Sequence, residues 1–260
     1  MVHPENTFTI LDSVDSTNNY AMAKVHAGLA KHGDAFFTMN QTNGKGQRGK
    51  QWHSANGKNI TISIIIDPFP LTIPKQFNLS AMVALACLNF YGKYAGDETQ
   101  IKWPNDIYWR DRKAGGILIE NVIGNSSAIK SNQDPGFSNY CWKFAVVGIG
   151  LNVNQTNFDF DLNNAVSLKQ ITGKEFDILA LAKALHSAVI ADIATALLQP
   201  FENILQQYNN SLYKKNERVL LKKNNVAFNT TIKSVTEKGQ LFTVDTIDNF
   251  FDFGEIEWVI

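Results

Sequence analysis

Cysteine is nearly absent from this chain: Cys87 and Cys141 are the only two in 260 residues, and neither sits in a Cys-X-X-Cys pair. A disulfide framework and a thiolate zinc site are both excluded, and two such thiols in a reducing compartment read as inert side chains. No His-Glu-X-X-His pattern occurs among the five histidines, so no protein-held metal centre is expected. A charge excess of either sign is missing too, with 24 Lys plus Arg against 24 Asp plus Glu. That balance argues against a general polyanion binder. Long apolar runs are lacking: Ala81–Tyr91 is too short to span a bilayer, and Ile178–Leu198 is interrupted by Lys183, His186 and Asp192. The first six residues have neither the basic nor the apolar block of a signal peptide, so the expected location is cytoplasmic.

What is present is globular. Hydrophobic residues make up 44% and charged ones 18%, ample for a packed core. From Phe8 to about Tyr213, strand-like runs mix with helical ones. Helices are expected at about 17–29, 74–91, 177–198 and 201–213, and strands at 35–39, 60–66, 99–103, 115–120 and 144–153. No regular βαβ rhythm appears, which predicts an α+β fold on a mixed, largely antiparallel sheet. From Lys214 onward only short strand-like pieces remain, at 219–221, 227–235, 241–244 and 250–253. They read as a small barrel or sandwich, so the chain divides into 1–213 and 214–260.

The segment Gly44-Lys45-Gly46-Gln47-Arg48-Gly49-Lys50 is the most informative. Between Ala35 and Ile66 there is no acidic residue, yet Lys45, Arg48, Lys50 and Lys58 lie there. Free main-chain amides beside cations suit a polyphosphate or a carboxylate; the plainer reading is a solvated basic loop. A dinucleotide fingerprint and a Walker A loop both nearly match, but neither is followed by the helix it requires, and Gln51 stands where Walker A needs Ser or Thr. Asp252-Phe253-Gly254 falls too near the end of the chain to serve a kinase.

Other blocks are weaker singly. Asp15-Ser16-Thr17-Asn18 is either a helix N-cap or a set of neutral donors and acceptors around a polar ligand. Lys102-Trp103-Pro104-Asn105-Asp106 places Asn105 and Asp106 in a turn at a strand end. In Arg112-Lys113-Ala114-Gly115-Gly116-Ile117, strict alternation puts Lys113, Gly115 and Ile117 on one face, a cation beside bare sheet. In Val147–Val153 the odd-numbered residues form a core face, while Gly148, Gly150 and Asn152 form a flat platform.

Taken together, and in this order, the blocks resemble the biotin protein ligase family. They are Asp15-Ser16-Thr17-Asn18, Gln41-Thr-X-Gly44-X-Gly46-X-X-Gly49-X-X-Trp52, Lys102–Asp106, Arg112-Lys113-X-X-Gly116-Ile117-Leu118-X-Glu120 and Gly148-Ile149-Gly150-X-Asn152. The resemblance implies the class II synthetase-like biotin/lipoate ligase fold, with Gly239 and Gly254-Glu255-Ile256 in an SH3-like C-terminal β-barrel. It implies activation of biotin by Mg-ATP to biotinyl-5′-AMP with release of pyrophosphate. Transfer to a lysine of a biotin carboxyl carrier protein, as in acetyl-CoA carboxylase, would follow. Lys113 is then the catalytic residue, neutralising carboxylate and phosphate, which repel by about 4 kcal/mol at ~4 Å in a partly dry site. Biotin would be held by Ser16, Thr17, Asn18, Gln41, Lys45, Gly46, Gln47, Trp52, Lys113, Gly115 and Gly116, and ATP by Arg48, Lys50, Lys102, Asn105, Asp106 and Asn152. The resemblance leaves room for a weak homodimer.

One departure stands out. The family loop is commonly Gly-Arg-Gly-Arg-Arg-Gly, whereas Lys45 and Gln47 occupy the first two arginine positions here, which predicts a looser grip on the adenylate. Ligase-type sequence begins by Phe8, so no winged helix is expected and no specific DNA binding; an operator shift at nanomolar protein would refute this. The alternatives are a lipoate or octanoate ligase or transferase, which would want an apolar tunnel, and a non-catalytic biotin-binding module.

Overall fold

The computed structural model describes residues 7–125, 140–158 and 164–259, so the signal-peptide reading of residues 1–6 lies outside it. A seven-stranded mixed sheet forms the body of the molecule. Its strands are β1 (Phe8–Leu11), β2 (Ala35–Thr38), β3 (Asn59–Ile66), β4 (Thr99–Lys102), β5 (Asp106–Trp109), β6 (Arg112–Asn125) and β7 (Tyr140–Asn152). They run in the order β1-β2-β3-β7-β6-β5-β4, with only β1 and β2 parallel. The α+β expectation holds.

β3, Asn-Ile-Thr-Ile-Ser-Ile-Ile-Ile, is buried along its whole length and decides the layering. Ile60, Ile62, Ile64 and Ile66 join the main core on one side. There α2 (Gln76–Ala95) and α4 (Ile178–Ala196) pack on each other, and α4 packs on β3. On the opposite side Ile65 meets Ala21 of α1 (Thr17–His26), while Thr61 and Ser63 mark where apolar packing stops and a polar hollow begins. The short α3 (Leu168–Thr172) starts in a capping box between Ser167 and Gln170. α4 is long and apolar enough to cross a bilayer, but Leu181, Leu185, Val189 and Ile193 bury its stripe in the main core. Truncating any of the larger ones to Ala would cost about 2–5 kcal/mol.

The second sheet is antiparallel and contains β8 (Arg218–Lys223), β9 (Val226–Val235), β10 (Leu241–Val244), β11 (Asp248–Phe251) and β12 (Glu257–Trp258), in the order β11-β10-β9-β8-β12. Leu221, Ile232, Val235, Leu241 and Phe251 fill its inner face.

The differences from expectation have local causes. β5 is a four-residue strand that pairing to β4 and β6 stabilises, so Asp106 opens a strand instead of sitting in a turn. α5 (Phe201–Asn210) stops short of Tyr213 because Ile101 and residues 211–213 exchange main-chain hydrogen bonds at the edge of β4. β6 extends well past 115–120 because β7 pairs with it throughout.

Candidate active site

A cavity of about 740 Å³ opens on the α1 side of the main sheet. Its inner wall is built where α1 begins. Ser16, Thr17 and Asn18 are buried there, and Ser16 makes no side-chain cap. The capping acceptor comes from Gln41, whose Oε1 receives Thr17 N–H at 2.9 Å and lies 3.3 Å from Thr17 Oγ1. That replaces the plain Ser or Thr cap. Ser63 Oγ lies 2.7 Å from Thr17 Oγ1 and 2.5 Å from Asn18 Oδ1, and Asn18 Nδ2 donates to Glu120 Oε2 at 2.9 Å. A cluster of neutral, oriented hydrogen-bonding groups thus lines a buried end of the cavity.

The floor is β7. Gly148 and Gly150 leave no side chain of their own, but the platform is not bare. A Cβ on Gly148 would fall 2.2 Å from Asn18 Oδ1, and one on Gly150 would fall 2.3 Å from the Trp52 indole. The glycines are hollows that seat Asn18 and Trp52. The Trp52 Nε1–H is buried and has no partner among the described residues. An orphaned donor of this kind is costly unless a ligand accepts from it.

The glycine-rich loop folds as a tight hairpin over this floor. Gly46 N–H donates to Lys50 O and Trp52 N–H to Gly44 O, so those amides are spent inside the loop. Its side chains reach outward instead. Lys45 Nζ lies 3.3 Å from Glu120 Oε1, Gln47 Nε2 donates to Ile117 O at 3.2 Å, and Arg48 Nη1 donates to Gly254 O at 2.9 Å. Arg48 has φ of 56°, the left-handed region, which Gly49 shares at 76°.

Lys113 stands across from the loop, its Nζ 2.8 Å from Asp106 Oδ1. The expected face is corrected here. Ala114 is an extra residue where β6 slips against β5, so Tyr108 pairs with Lys113 and Ile107 with Gly115. The bulge brings Gly116 to the side of Lys113 and Asp106. It turns Gly115 toward Leu151, where a Cβ would lie 2.4 Å from Leu151 Cδ2. Gly115 does not line the cavity, whereas Gly116 does. Main-chain bonds hold Lys113 in place: its N–H donates to Asn164 O, and its carbonyl accepts from Val166 N–H and Asn152 Nδ2. Asn105 Nδ2 donates to Ile117 O at 2.6 Å. Both asparagines therefore spend a donor on β6 or its edge.

Lys102 is buried, with Nζ 3.0 Å from the Tyr108 hydroxyl and above the Tyr108 and Trp258 rings. Burial lowers its pKa from 10.5 to about 8, against the opposing pull of Asp106. The cation is complete below about 8 and is lost as pH rises through that value. If Lys102 meets an anionic substrate, kcat/KM for that substrate should fall by up to about tenfold per pH unit above 8. kcat should hold to higher pH, because a bound anion raises the lysine pKa again. Steady-state kinetics across pH 7–10 check this prediction, and a flat kcat/KM would refute it.

All the expected site residues except Gly115 line the one cavity. Sequence reasoning missed Ser63, Glu120 and a wall from the second sheet, namely Phe253, Ile256, Glu257 and Trp258. Glu120 was visible in the motif but had no assigned partner. The wall comes from the turn after β11 and from β12, a strand of two residues that was too short to place. Among the described residues, five cations, Lys45, Arg48, Lys50, Lys102 and Lys113, line the cavity against the carboxylates of Asp106 and Glu257. No group of three or more His, Cys, Asp or Glu is gathered among the described residues.

A family model described as the biotin/lipoate A/B protein ligase family matches residues 10–131. The bifunctional ligase/repressor BirA of Escherichia coli (strain K12) is 34% identical over 192 residues, covering 72% of this chain and 52% of that protein. Residues 10–131 of the chain match the biotin/lipoate A/B protein ligase family. A second relative, a biotin--[acetyl-CoA-carboxylase] ligase of Paracoccus denitrificans, is 31% identical over 147 residues, 55% of this chain and 53% of that one. The chain spans about half the length of both relatives. The fold is shared with the biotin protein ligase from Aquifex aeolicus in complex with biotin and ATP, at TM-score 0.76 and 22% identity over 97% of this chain and 98% of that one. Within the family match fall the loop, Glu120 and Lys113, whereas Asn152 and the second-sheet wall lie beyond it.

Proposed function

We propose that the chain is an ATP-dependent biotin protein ligase acting on a carrier domain of a biotin-dependent carboxylase such as acetyl-CoA carboxylase. The observation that carries the proposal is the excess of cations in this cavity of an electrically neutral chain, next to a buried cluster of neutral donors and acceptors. The first step joins two anions. A biotin carboxylate oxygen attacks the α-phosphorus of ATP and pyrophosphate departs, giving biotinyl-5′-AMP. Lys113 lies opposite the loop, suited to offset both charges at that encounter. In the second step a carrier lysine amine attacks the acyl carbon, forming an amide and releasing AMP. No protein nucleophile is needed.

Ser16, Thr17, Asn18 and Gln41 are assigned to the ureido ring, with Trp52 and Gly116 on the acyl side and Lys45, Gly46 and Gln47 closing above. Arg48, Lys50, Lys102, Asn105, Asp106 and Asn152 are assigned to the nucleotide. Mg²⁺ fits as an ion arriving on the phosphates, since the acids lining the cavity already face lysines. The reading takes 1–213 as the catalytic unit and 214–260 as an SH3-like barrel, in a cytoplasmic protein without DNA or membrane partners.

The buried polar cluster favours a polar ring over the linear apolar chain of lipoate or octanoate. Incubation with ATP, a carrier domain and each acid in turn, read by carrier mass, tests this. A gain with biotin alone is expected; a gain with lipoate or octanoate alone, or none, overturns it. Gln47→Arg, which restores a charged donor to the loop, is expected to reduce leakage of free biotinyl-adenylate. Unchanged leakage would show that the neutral bond to Ile117 O already suffices.

A further inference from the structure

Glu120 is a strand residue that lies just behind the cavity lining, and both of its carboxylate oxygens are engaged. Oε2 accepts from Asn18 Nδ2 at 2.9 Å, and Oε1 faces Lys45 Nζ at 3.3 Å. Asn18 belongs to the buried cluster at the start of α1, and Lys45 to the glycine-rich loop. The chain of contacts continues from Asn18 Oδ1 to Ser63 Oγ, from there to Thr17 Oγ1, and from Thr17 to Gln41 Oε1. Gln41 leads directly into the loop. The loop and the polar cluster are therefore joined at both ends, once through Gln41 and once through Glu120.

We propose that Glu120 is a positioning residue that couples loop closure to ring recognition, by fixing the Asn18 amide with one oxygen and holding Lys45 with the other. The orientation of Asn18 is the first consequence. With Nδ2 held by a carboxylate and the side chain seated over Gly148, its Oδ1 is directed to Ser63, and the amide cannot flip without losing a charge-assisted bond. Lys45 is the second. A lysine makes a single-pronged contact, so in this chain the loop depends on that one carboxylate more than a two-pronged arginine would. A ligand that rearranges the Asn18 cluster changes the partner that Lys45 sees, and a closed loop in turn steadies Asn18.

The inference rests on the biotin reading of the cavity and deepens it. The test uses the full chain and D-biotin without ATP, with two readouts: biotin affinity by calorimetry, and trypsin cleavage after Lys45, Arg48 and Lys50 with and without biotin. In the wild type, biotin should slow cleavage. Glu120→Gln keeps the shape but gives up one of the two acceptors. It should weaken biotin about threefold to tenfold, remove the protection and leave thermal melting unchanged. Lys45→Met breaks the same link from its other end at an exposed site. Its effect on affinity should be smaller in the Glu120→Gln background than in the wild type, whereas independent roles would add. Full protection in Glu120→Gln, or additive losses, overturns the coupling while leaving the ligase reading intact. A wild type that binds no biotin overturns that reading and the coupling with it.

Discussion

Lys113→Ala is expected to abolish biotinyl-adenylate formation, by about 10³-fold or more, while the chain melts where the wild type does. The two halves of this prediction rest on different observations. The side chain is one-third exposed, so removing it leaves no core cavity. The strand around it is held by main-chain bonds to Asn164 and Val166 that the substitution does not touch. The chemistry fares worse. Asp106 loses its 2.8 Å partner and becomes an uncompensated carboxylate facing the position where two more anions must meet. Pyrophosphate release measures the first half and a thermal melt the second. Lys113→Arg, which keeps the charge, should retain part of the rate; if Lys113→Ala turns over normally, Lys113 has no place in the mechanism.

Gly150→Ala is expected to produce the largest loss in ligand binding. The added methyl would lie 2.3 Å from the Trp52 ring, which has to leave its seat on β7 and swing into the cavity. Overpacking of this order costs about 1–3 kcal/mol, or roughly tenfold to hundredfold in biotin affinity if the cost falls on the site. Gly115→Ala is the informative contrast. Its methyl meets Leu151 Cδ2 at 2.4 Å and Gly150 O at 2.8 Å on the core side. It should lower thermal stability without a selective effect on biotin. Calorimetry and melting of the two variants separate these outcomes. Equal behaviour would mean that Gly115 does not face the core while Gly150 faces the site.

These glycines also mark how far the residues could be read in advance. Alternation in 147–153 correctly assigned Val147, Ile149, Leu151 and Val153 to the core, because β7 runs without a slip there. The same rule failed at 113–117, because one extra residue in β6 reverses which glycine faces the ligand. The place of the loop's cations at a cavity was legible from its charge and glycine content, although the amides of Gly46 and Trp52 are spent inside the loop. The use of its arms was not, since their partners, Glu120, Ile117 O and Gly254 O, lie 75, 70 and 206 residues along the chain. Ser63 escaped for the same reason. It is an ordinary serine in an isoleucine strand until α1 is laid across it.

The second sheet packs into the main core through Leu221, Ile232, Val235, Leu241, Phe251 and Ile256, and two of its turns are pinned through main-chain oxygens. Arg48 donates to the carbonyl of Gly254, and the Trp103 indole N–H donates to the carbonyl of Gly239. Both carbonyls belong to glycines in the left-handed region, with φ of 89° at Gly254 and 84° at Gly239, where a Cβ would fall 2.7 Å from Arg48 Cζ and 2.8 Å from Phe77 Cδ2, so these anchors require glycine as well as a backbone path. Closing the cavity from this side thus depends on two turns keeping their shape, besides the side chains of Phe253, Ile256, Glu257 and Trp258 that line it. Insertions that lengthen the turns at 236–240 or 252–256 should therefore do more harm than most replacements within the strands beside them.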